Sequence, residues 1–327
     1  MKILAVDDDP IILELLTEIA GVVGFTNLTL CASAYEALDV VAEADIPFDC
    51  LLLDIQMPNM DGIQLTSIVR KMPQYATTPI LMITAMSDRS YIDSAFSAGA
   101  SDYITKPFEI DEVHARLRLI EELLKGRRQK EDRNPVEMAR EASSVVTLAD
   151  LDKRLALSDI DGCIEYLALE NYLLQVSKIS LLGMSAVGIV FPDVHRIFQS
   201  RSLYEYESAI TDVAEAISDC LKPRGFFLSH AGGGHFACVL SEGEAFDAAV
   251  FEITVANKVR EMDLHFCDGR PLIVIPVVGD ACSLQFKSGR GVVIALTRAL
   301  ADAEAVSRAP SVRKVATSWQ LKSLLGY

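Results

Sequence analysis

Over its first 124 positions, this 327-residue chain alternates short apolar runs with stretches of helical periodicity. The runs Ile3-Leu4-Ala5-Val6, Cys50-Leu51-Leu52-Leu53, Ile80-Leu81-Met82-Ile83 and Asp102-Tyr103-Ile104 read as strands buried on both faces. Helices are predicted over about 10–23, 34–44, 62–71, 88–98 and 109–124, with Pro10 in a first turn and Gly24 as a stop. Val113, Leu117, Ile120 and Leu124 give the last of these a core-facing stripe. Five strand–helix units with short connections predict an α/β fold, a doubly wound five-stranded parallel sheet covered on both faces.

Beyond residue 125 the pattern changes. Residues 126–149 are charged, then small and polar (Glu141-Ala142-Ser143-Ser144), with Pro135 between, and read as a linker that is helical in part. A second unit is predicted over 150–327. Its strands are Gly188-Ile189-Val190-Phe191, Gly225-Phe226-Phe227-Leu228, Phe236-Ala237-Cys238-Val239-Leu240 and Leu272-Ile273-Val274-Ile275-Pro276-Val277-Val278. The second and third enclose Gly232-Gly233-Gly234-His235, a tight hairpin. Helices over 204–221, 244–262 and 291–306 complete an α+β domain.

Half of the residues are apolar, enough for a core in each unit, and no apolar run reaches about 18 residues, so no membrane insertion is expected. The first residues lack the pattern of a signal peptide, because a short apolar strand after Lys2 runs into three aspartates. Seven cysteines without a CxxC pair, several in apolar surroundings, suit a cytoplasmic protein with buried thiols. Of the net charge of −16, residues 1–125 carry −12, from 8 Lys/Arg against 20 Asp/Glu. DNA is therefore an unfavourable partner, and the basic stretch Lys125–Lys130, followed at once by Glu131 and Asp132, reads as a solvated face.

Polar groups stand at comparable ends of successive strands. Asp7 and Asp8 follow the first run, Asp54 closes the second, Thr84 the third, and Lys106 follows the fourth. Open α/β sheets place ligands outside these strand ends. Asp8 and Asp54, with the backbone carbonyl of Gln56, can supply oxygens to an octahedral Mg²⁺, and Asp7 can act directly or through water. The ion would neutralise a phosphoryl group approaching Asp54, with Lys106 as a point charge and Thr84 as a hydroxyl partner. Taken singly, an aspartate after a strand reads as a helix cap and Thr84 as a core or turn residue.

Residues 1–125 resemble the receiver domain of bacterial two-component response regulators. The match rests on Val6-Asp7-Asp8-Asp9-Pro10, Leu53-Asp54-Ile55-Gln56-Met57-Pro58 with Met60-Asp61-Gly62, Ile83-Thr84-Ala85, and Gly99 to Phe108 through Asp102-Tyr103-Ile104-Thr105-Lys106-Pro107. The resemblance implies a flavodoxin-like fold and Asp54 as acceptor of phosphate from a sensor histidine kinase or phosphotransfer protein. It also implies Mg²⁺ on Asp7, Asp8, Asp54 and the Gln56 carbonyl, contact of Lys106 with the phosphoryl group, and a cis Lys106–Pro107 bond. Thr84 and Tyr103 are the expected switch pair, and helices 88–98 and 109–124 the expected homodimer face.

The hairpin His230-Ala231-Gly232-Gly233-Gly234-His235-Phe236 and its flanking runs resemble the GGDEF domain of diguanylate cyclases, over roughly 160–310. Against that family's pattern the hairpin acids are replaced by Gly234 and His235, and only Asp193 remains for the metal strand. Phe198-Gln199-Ser200-Arg201 and Tyr206-Glu207 offer no clear guanine-binding pair, and Pro223-Arg224-Gly225-Phe226 lacks the inhibitory RxxD site. Two-metal phosphoryl transfer needs carboxylates on two elements. The expectation is a degenerate GGDEF-like output domain that is not an enzyme and acts on an unidentified downstream protein. Residual cyclase activity and nucleotide sensing, of GTP or cyclic di-GMP, are the alternatives. His230 and His235 permit a metal reading or a structural one, while His114, His195 and His265 read as surface or structural.

Overall fold

The computed structural model of the chain describes residues 1–85, 89–131, 147–157, 159–199, 201–222, 224–241 and 246–308. The chain divides into two units, Met1–Asn134 and Pro135–Tyr327. Most of the predicted linker, residues 132–146, lies outside the described residues, as do Asp88, Ser200, Pro223 and residues 244–245 of the predicted helix 244–262.

In the first unit, strands β1 (Lys2–Val6), β2 (Asn27–Cys31), β3 (Cys50–Asp54), β4 (Ile80–Thr84) and β5 (Asp102–Thr105) alternate with helices α1 (Pro10–Val23), α2 (Ala34–Glu43), α3 (Gly62–Arg70), α4 (Arg89–Ser97) and α5 (Ile110–Glu131). The sheet order is β2-β1-β3-β4-β5 and every pairing is parallel. The doubly wound α/β fold read from the apolar runs is thus present. β3 and β4 are buried at every residue, whereas β2, at the edge, is buried only at Cys31. The stripe Val113, Leu117 and Ile120 of α5 joins the core on Ile3, Ala5, Leu81 and Ile104. α5 runs seven residues past the predicted end at Leu124, to Glu131. Apolar periodicity stops at Leu124, but the Arg, Gln, Lys and Glu that follow are good helix formers, and Gly126 costs only about 1 kcal/mol.

The second unit holds an antiparallel sheet of β6 (Ser185–Val190), β7 (Phe226–Gly232), β8 (His235–Leu240), β9 (Val277–Val278) and β10 (Cys282–Ser283). β8 lies between β7 and β6, and both β9 and β10 pair with the other edge of β6. Its helices are α6 (Leu148–Leu151), α7 (Tyr166–Gln175), α8 (Val194–Phe198), α9 (Leu203–Leu221), α10 (Ala248–Glu261) and α11 (Arg290–Ser307). α11 crosses β6 so closely that a Cβ on Gly188 would stand 2.3 Å from the Ala299 carbonyl oxygen. α10 starts later than the predicted helix because Asp247 caps it, accepting from Val250 N at 3.0 Å.

One expectation for this unit fails, and one helix, α7, was not among those expected. The predicted strand 272–278 forms only as Val277–Val278, paired with Val190 and Ile189. β6 ends at Val190, after which Phe191 donates to the Gly234 carbonyl, so residues 272–276 find no partner strand. α7 escaped the reading because its residues are mostly buried, including Tyr166, Leu169, Tyr172 and Leu173, which leaves no polar face to set a helical period.

The glycine hairpin is closed by the chain itself. Gly233 N donates to the Leu151 carbonyl at 2.7 Å, and the Tyr206 hydroxyl lies 2.9 Å from Leu151 O and 2.8 Å from Gly233 O. Gly232 and Gly233 have positive φ, and a Cβ on Gly232 would meet Asp152 O at 2.6 Å. On the other side, a Cβ on Gly234 would meet Phe191 O at 2.3 Å. These glycines answer to close backbone packing.

His230 is buried beneath the turn. Leu155 N donates to its Nδ1 at 2.9 Å, which leaves the proton on Nε2 to be donated to Gly233 O at 2.8 Å. Both nitrogens being engaged, the ring is structural and not a metal ligand. His235 contacts Gly232 O through Nδ1 at 3.2 Å. Burial pushes His230 down to about 4, with the Gly233 carbonyl pulling weakly the other way. The unfolded chain therefore binds a proton that the folded unit refuses, and stability present above pH ~6.5 is lost as pH falls towards 4. Between pH 7 and 5 the loss should be about 2 kcal/mol. Hydrogen exchange of the β7 and β8 amides, corrected for intrinsic rates, will show this step in the native chain and lose it in His230→Gln.

Candidate functional site

The site sits at the C-terminal edge of the first sheet. Parallel pairing of Val6 with Leu53 makes Asp7 and Asp54 neighbours, and pairing of Asp54 with Ile83 and Thr84 with Thr105 brings β4 and β5 alongside. Asp54 is the last residue of β3, Thr84 the last of β4, and Lys106 follows β5 directly. The Lys106 N–H donates to the Thr84 carbonyl at 2.6 Å, and the Lys106–Pro107 bond is cis, as the resemblance implied. From there the Lys106 ammonium reaches Asp7 Oδ2 at 2.7 Å and Asp54 Oδ1 at 2.9 Å.

Local sequence fixes each aspartate. Asp9 caps α1 by accepting from Ile11 N at 2.9 Å, with Pro10 as the first helical residue. Asp7 Oδ1 accepts from Asp9 N at 3.0 Å, which turns its carboxylate into the sheet edge and leaves Asp8 exposed. On β3, Asp54 is pinned from behind. A Cβ on Gly62 would stand 2.0 Å from the Asp54 carbonyl oxygen, so only glycine lets the start of α3 come this close. Asp61 and Gln64 form a capping box at that helix start.

Carboxylate oxygens of Asp7, Asp8 and Asp54 lie within 4.8 Å of one another. Asp7 and Asp54 are buried, and a single ammonium serves both. Burial pushes the Asp54 carboxyl up, and the hydrogen bond from Lys106 pulls it back only in part, with Asp7 adding to the rise. For Lys106, burial favours the neutral amine, but hydrogen bonds to Asp7 and Asp54 outweigh it and hold the group above its ordinary value. Three oxygen ligands, a net negative charge and one exposed member suit a hard divalent cation such as Mg²⁺. Gln56 stands in the turn after β3, and its backbone N–H bonds the Asp54 carboxylate.

Of the two remaining residues of the expected set, Thr84 closes β4 at this end, while Tyr103 stands second in β5, opposite Met82. Thr84 is buried, and so is Tyr103, whose hydroxyl burial pushes to a higher pKa. One ion pair was not visible in the sequence. Arg116 of α5 binds Asp102 at the start of β5, and Asp102 is buried. A carboxylate opening an apolar run gave no sign of a partner fourteen positions away.

Residues 3–118 match the model of the response regulator receiver domain, and they form such a domain. Among curated proteins, the chain is 38% identical over 128 residues to the transcriptional regulatory protein KdpE of Staphylococcus aureus, which covers 39% of this chain and 53% of that protein. It is 36% identical over 138 residues to the response regulator MprA of Mycobacterium avium, covering 42% of this chain and 57% of that protein. It is also 34% identical over 114 residues to the signal transduction histidine-protein kinase BarA of Escherichia coli, covering 35% of this chain and 12% of that protein. The chain thus spans little more than half of the regulators and about an eighth of the kinase. Among solved structures, the Vibrio cholerae chemotaxis protein CheY4 is 30% identical, covering 36% of this chain and 97% of that one with a TM-score of 0.34.

Opposite outcomes are expected from removing the two charges that meet at 2.9 Å. Without divalent cations, Asp54→Asn relieves repulsion while Lys106 keeps Asp7, and should stabilise the receiver unit by about 1 kcal/mol. Lys106→Met leaves two buried carboxylates unpaired and should cost about 3–5 kcal/mol. Urea unfolding with EDTA checks both, and added Mg²⁺ should restore part of the loss in Lys106→Met.

Proposed function

We propose that the chain is a phosphorylation-controlled regulator of a two-component system, with Asp54 as phosphoacceptor and a catalytically inactive GGDEF-like output domain. The observation that carries the receiver half of this reading is the Lys106 ammonium shared by Asp7 and Asp54 beside a third carboxylate. A carboxylate oxygen of Asp54 attacks the phosphorus of a phosphohistidine on the kinase or phosphotransfer protein. The P–O bond forms as the P–N bond breaks, and the electron pair returns to the departing imidazole. Asp7, Asp8, Asp54 and the Gln56 carbonyl would hold Mg²⁺, which neutralises phosphoryl charge when bound. Lys106 then turns from the carboxylates to the new phosphoryl oxygens, and the Thr84 hydroxyl donates to one of them. Movement of Thr84 frees space for the Tyr103 ring, so the surface of α4 and α5 repacks. Tyr91 on α4 and Ile110 and Leu119 on α5 are exposed, and a homodimer through these two helices is the assembly this repacking would control.

For the output domain, the support is that its hairpin turn is packed against and bonded to the chain itself. The Gly233 N–H is held by Leu151, and the turn abuts Asp152 and Phe191. Asp193, the one carboxylate left on the expected metal strand, is exposed and bonded to Arg196 at 2.9 Å. The domain then acts through assembly or through a protein partner, in the cytoplasm, without binding DNA. No helix among the described residues is long and apolar enough to cross a membrane.

With acetyl phosphate and Mg²⁺, intact-mass measurement should find a phosphoryl adduct on the native chain and none on Asp54→Asn. Light scattering with beryllofluoride, a phosphoryl mimic, should find a change in mass, and an unchanged mass and shape would remove the assembly switch. Incubation with GTP and Mg²⁺ or Mn²⁺ should yield no cyclic di-GMP. Its appearance would overturn the inactive reading, and calorimetric binding of GTP without turnover would replace it with nucleotide sensing.

A further inference from the structure

The apolar run 272–276 that fails to form a strand borders a groove. A cavity of about 290 Å³ lies between it and α10, lined by Ile253 and Ala256 on the helix and by Leu272, Val274 and Pro276 on the run. Ile253 is 62% exposed. Leu272 N is held by Leu264 O and Val278 N by Glu252 Oε2, but the N–H groups of Ile273, Val274 and Ile275 have no partner among the described residues. An apolar extended segment with a bare edge beside a helix is a ready template for another piece of chain.

The chain contains a stretch whose composition suits that groove. Residues 309–327 follow α11, and they include Val312, Val315, Trp319 and Leu321 among Arg313, Lys314 and Lys322, with no Asp or Glu. Since the whole chain carries −16, residues 1–308 carry −19. Within the groove Glu252 and Asp263 outnumber Arg260, which bonds Asn257 on its own helix. Reach is no obstacle. The last turns of α11 lie against the chain just past β9, where a Cβ on Gly279 would be 3.0 Å from Ala303, and β9 continues straight from Pro276. Nineteen residues can span up to about 60 Å when extended. Attachment to the same chain gives the stretch an effective concentration on the order of millimolar, which a second copy in dilute solution does not match.

We propose that the groove between α10 and residues 271–276 is the docking site of residues 309–327 of the same chain, with the Trp319 indole in the cavity and Arg313, Lys314 or Lys322 against its carboxylates. A large rigid aromatic is the kind of anchor such pockets take. The assignment is independent of what the receiver or hairpin does.

Trp319 is the only tryptophan of the chain, so the fluorescence of the full-length protein reports on it alone. The native protein should show blue-shifted emission and weak acrylamide quenching. Ile253→Glu or Ala256→Glu should shift emission to that of a solvated indole and raise quenching several-fold, with far-UV circular dichroism unchanged. Ile294→Glu, at an exposed position of α11, should change neither. A solvated indole in the native protein, or a buried one indifferent to both groove substitutions, would overturn the proposal. A blue shift that disappears on dilution would also overturn it, and would give the groove to a second copy.

Discussion

The Lys106 ammonium held between the buried carboxylates of Asp7 and Asp54, with Asp8 beside them, is the constraint on which the receiver unit depends. Two like charges about 4 Å apart repel by roughly 4 kcal/mol at an effective dielectric of 20, a sizeable fraction of the 5–15 kcal/mol that holds an ordinary domain together. The sheet accepts this because its strands are fixed elsewhere. β3 and β4 are buried at every residue, and Gly62 presses α3 against the carbonyl of Asp54. Lys106 is placed by β5 and by its N–H bond to Thr84 O, so its side chain starts at the sheet edge within reach of both buried carboxylates. The unbalanced charge that remains is what makes this edge receptive to a divalent cation.

The glycine hairpin of the second unit has the opposite character. The Gly233 N–H, the carbonyls of Gly232, Gly233 and Gly234, the Tyr206 hydroxyl and both nitrogens of His230 all have partners within the unit. At groups already satisfied internally, a ligand must displace a bond before making one. Three consecutive glycines read in isolation suggest a phosphate cradle. Here they permit close packing against Asp152 and Phe191, which is why the hairpin keeps its shape without keeping an open site.

The parallel half was legible because its signal is local. Each apolar run is a complete buried strand, and the residue that closes it falls at the sheet edge by necessity, so Asp7, Asp54, Thr84 and Lys106 could be assembled from spacing alone. Contacts that depend on two distant elements were not legible. Arg116 on Asp102 and Leu155 on His230 leave no periodic trace. In the second unit, the run 272–278 has strand composition apart from Pro276, yet only Val277 and Val278 pair, because β6 stops at Val190. Strand propensity describes fitness for a sheet surface, and it is silent on whether a neighbour exists. α7 illustrates the reverse, a helix buried on so many sides that its period disappears.

The length of α5 bears on how the receiver's state leaves the receiver. Its first turns are tied to the sheet by Val113, Leu117 and Ile120 in the core and by Arg116 on Asp102, one residue before Tyr103. Its 22 residues make a rod of about 33 Å. Past Leu124 the helix continues on intrinsic propensity, with no apolar stripe to hold it to the unit. A tilt at the anchored end, such as repacking around Tyr103 would cause, is therefore magnified at Glu131, whereas a flexible exit at residue 125 would dissipate it. Phosphorylation can use this lever only if one arrangement beyond Glu131 favours the phosphorylated receiver, since a state shared equally by both forms transmits nothing. The continuous helix gives that differential a physical carrier, from Arg116 on Asp102 beside Tyr103 out to Glu131.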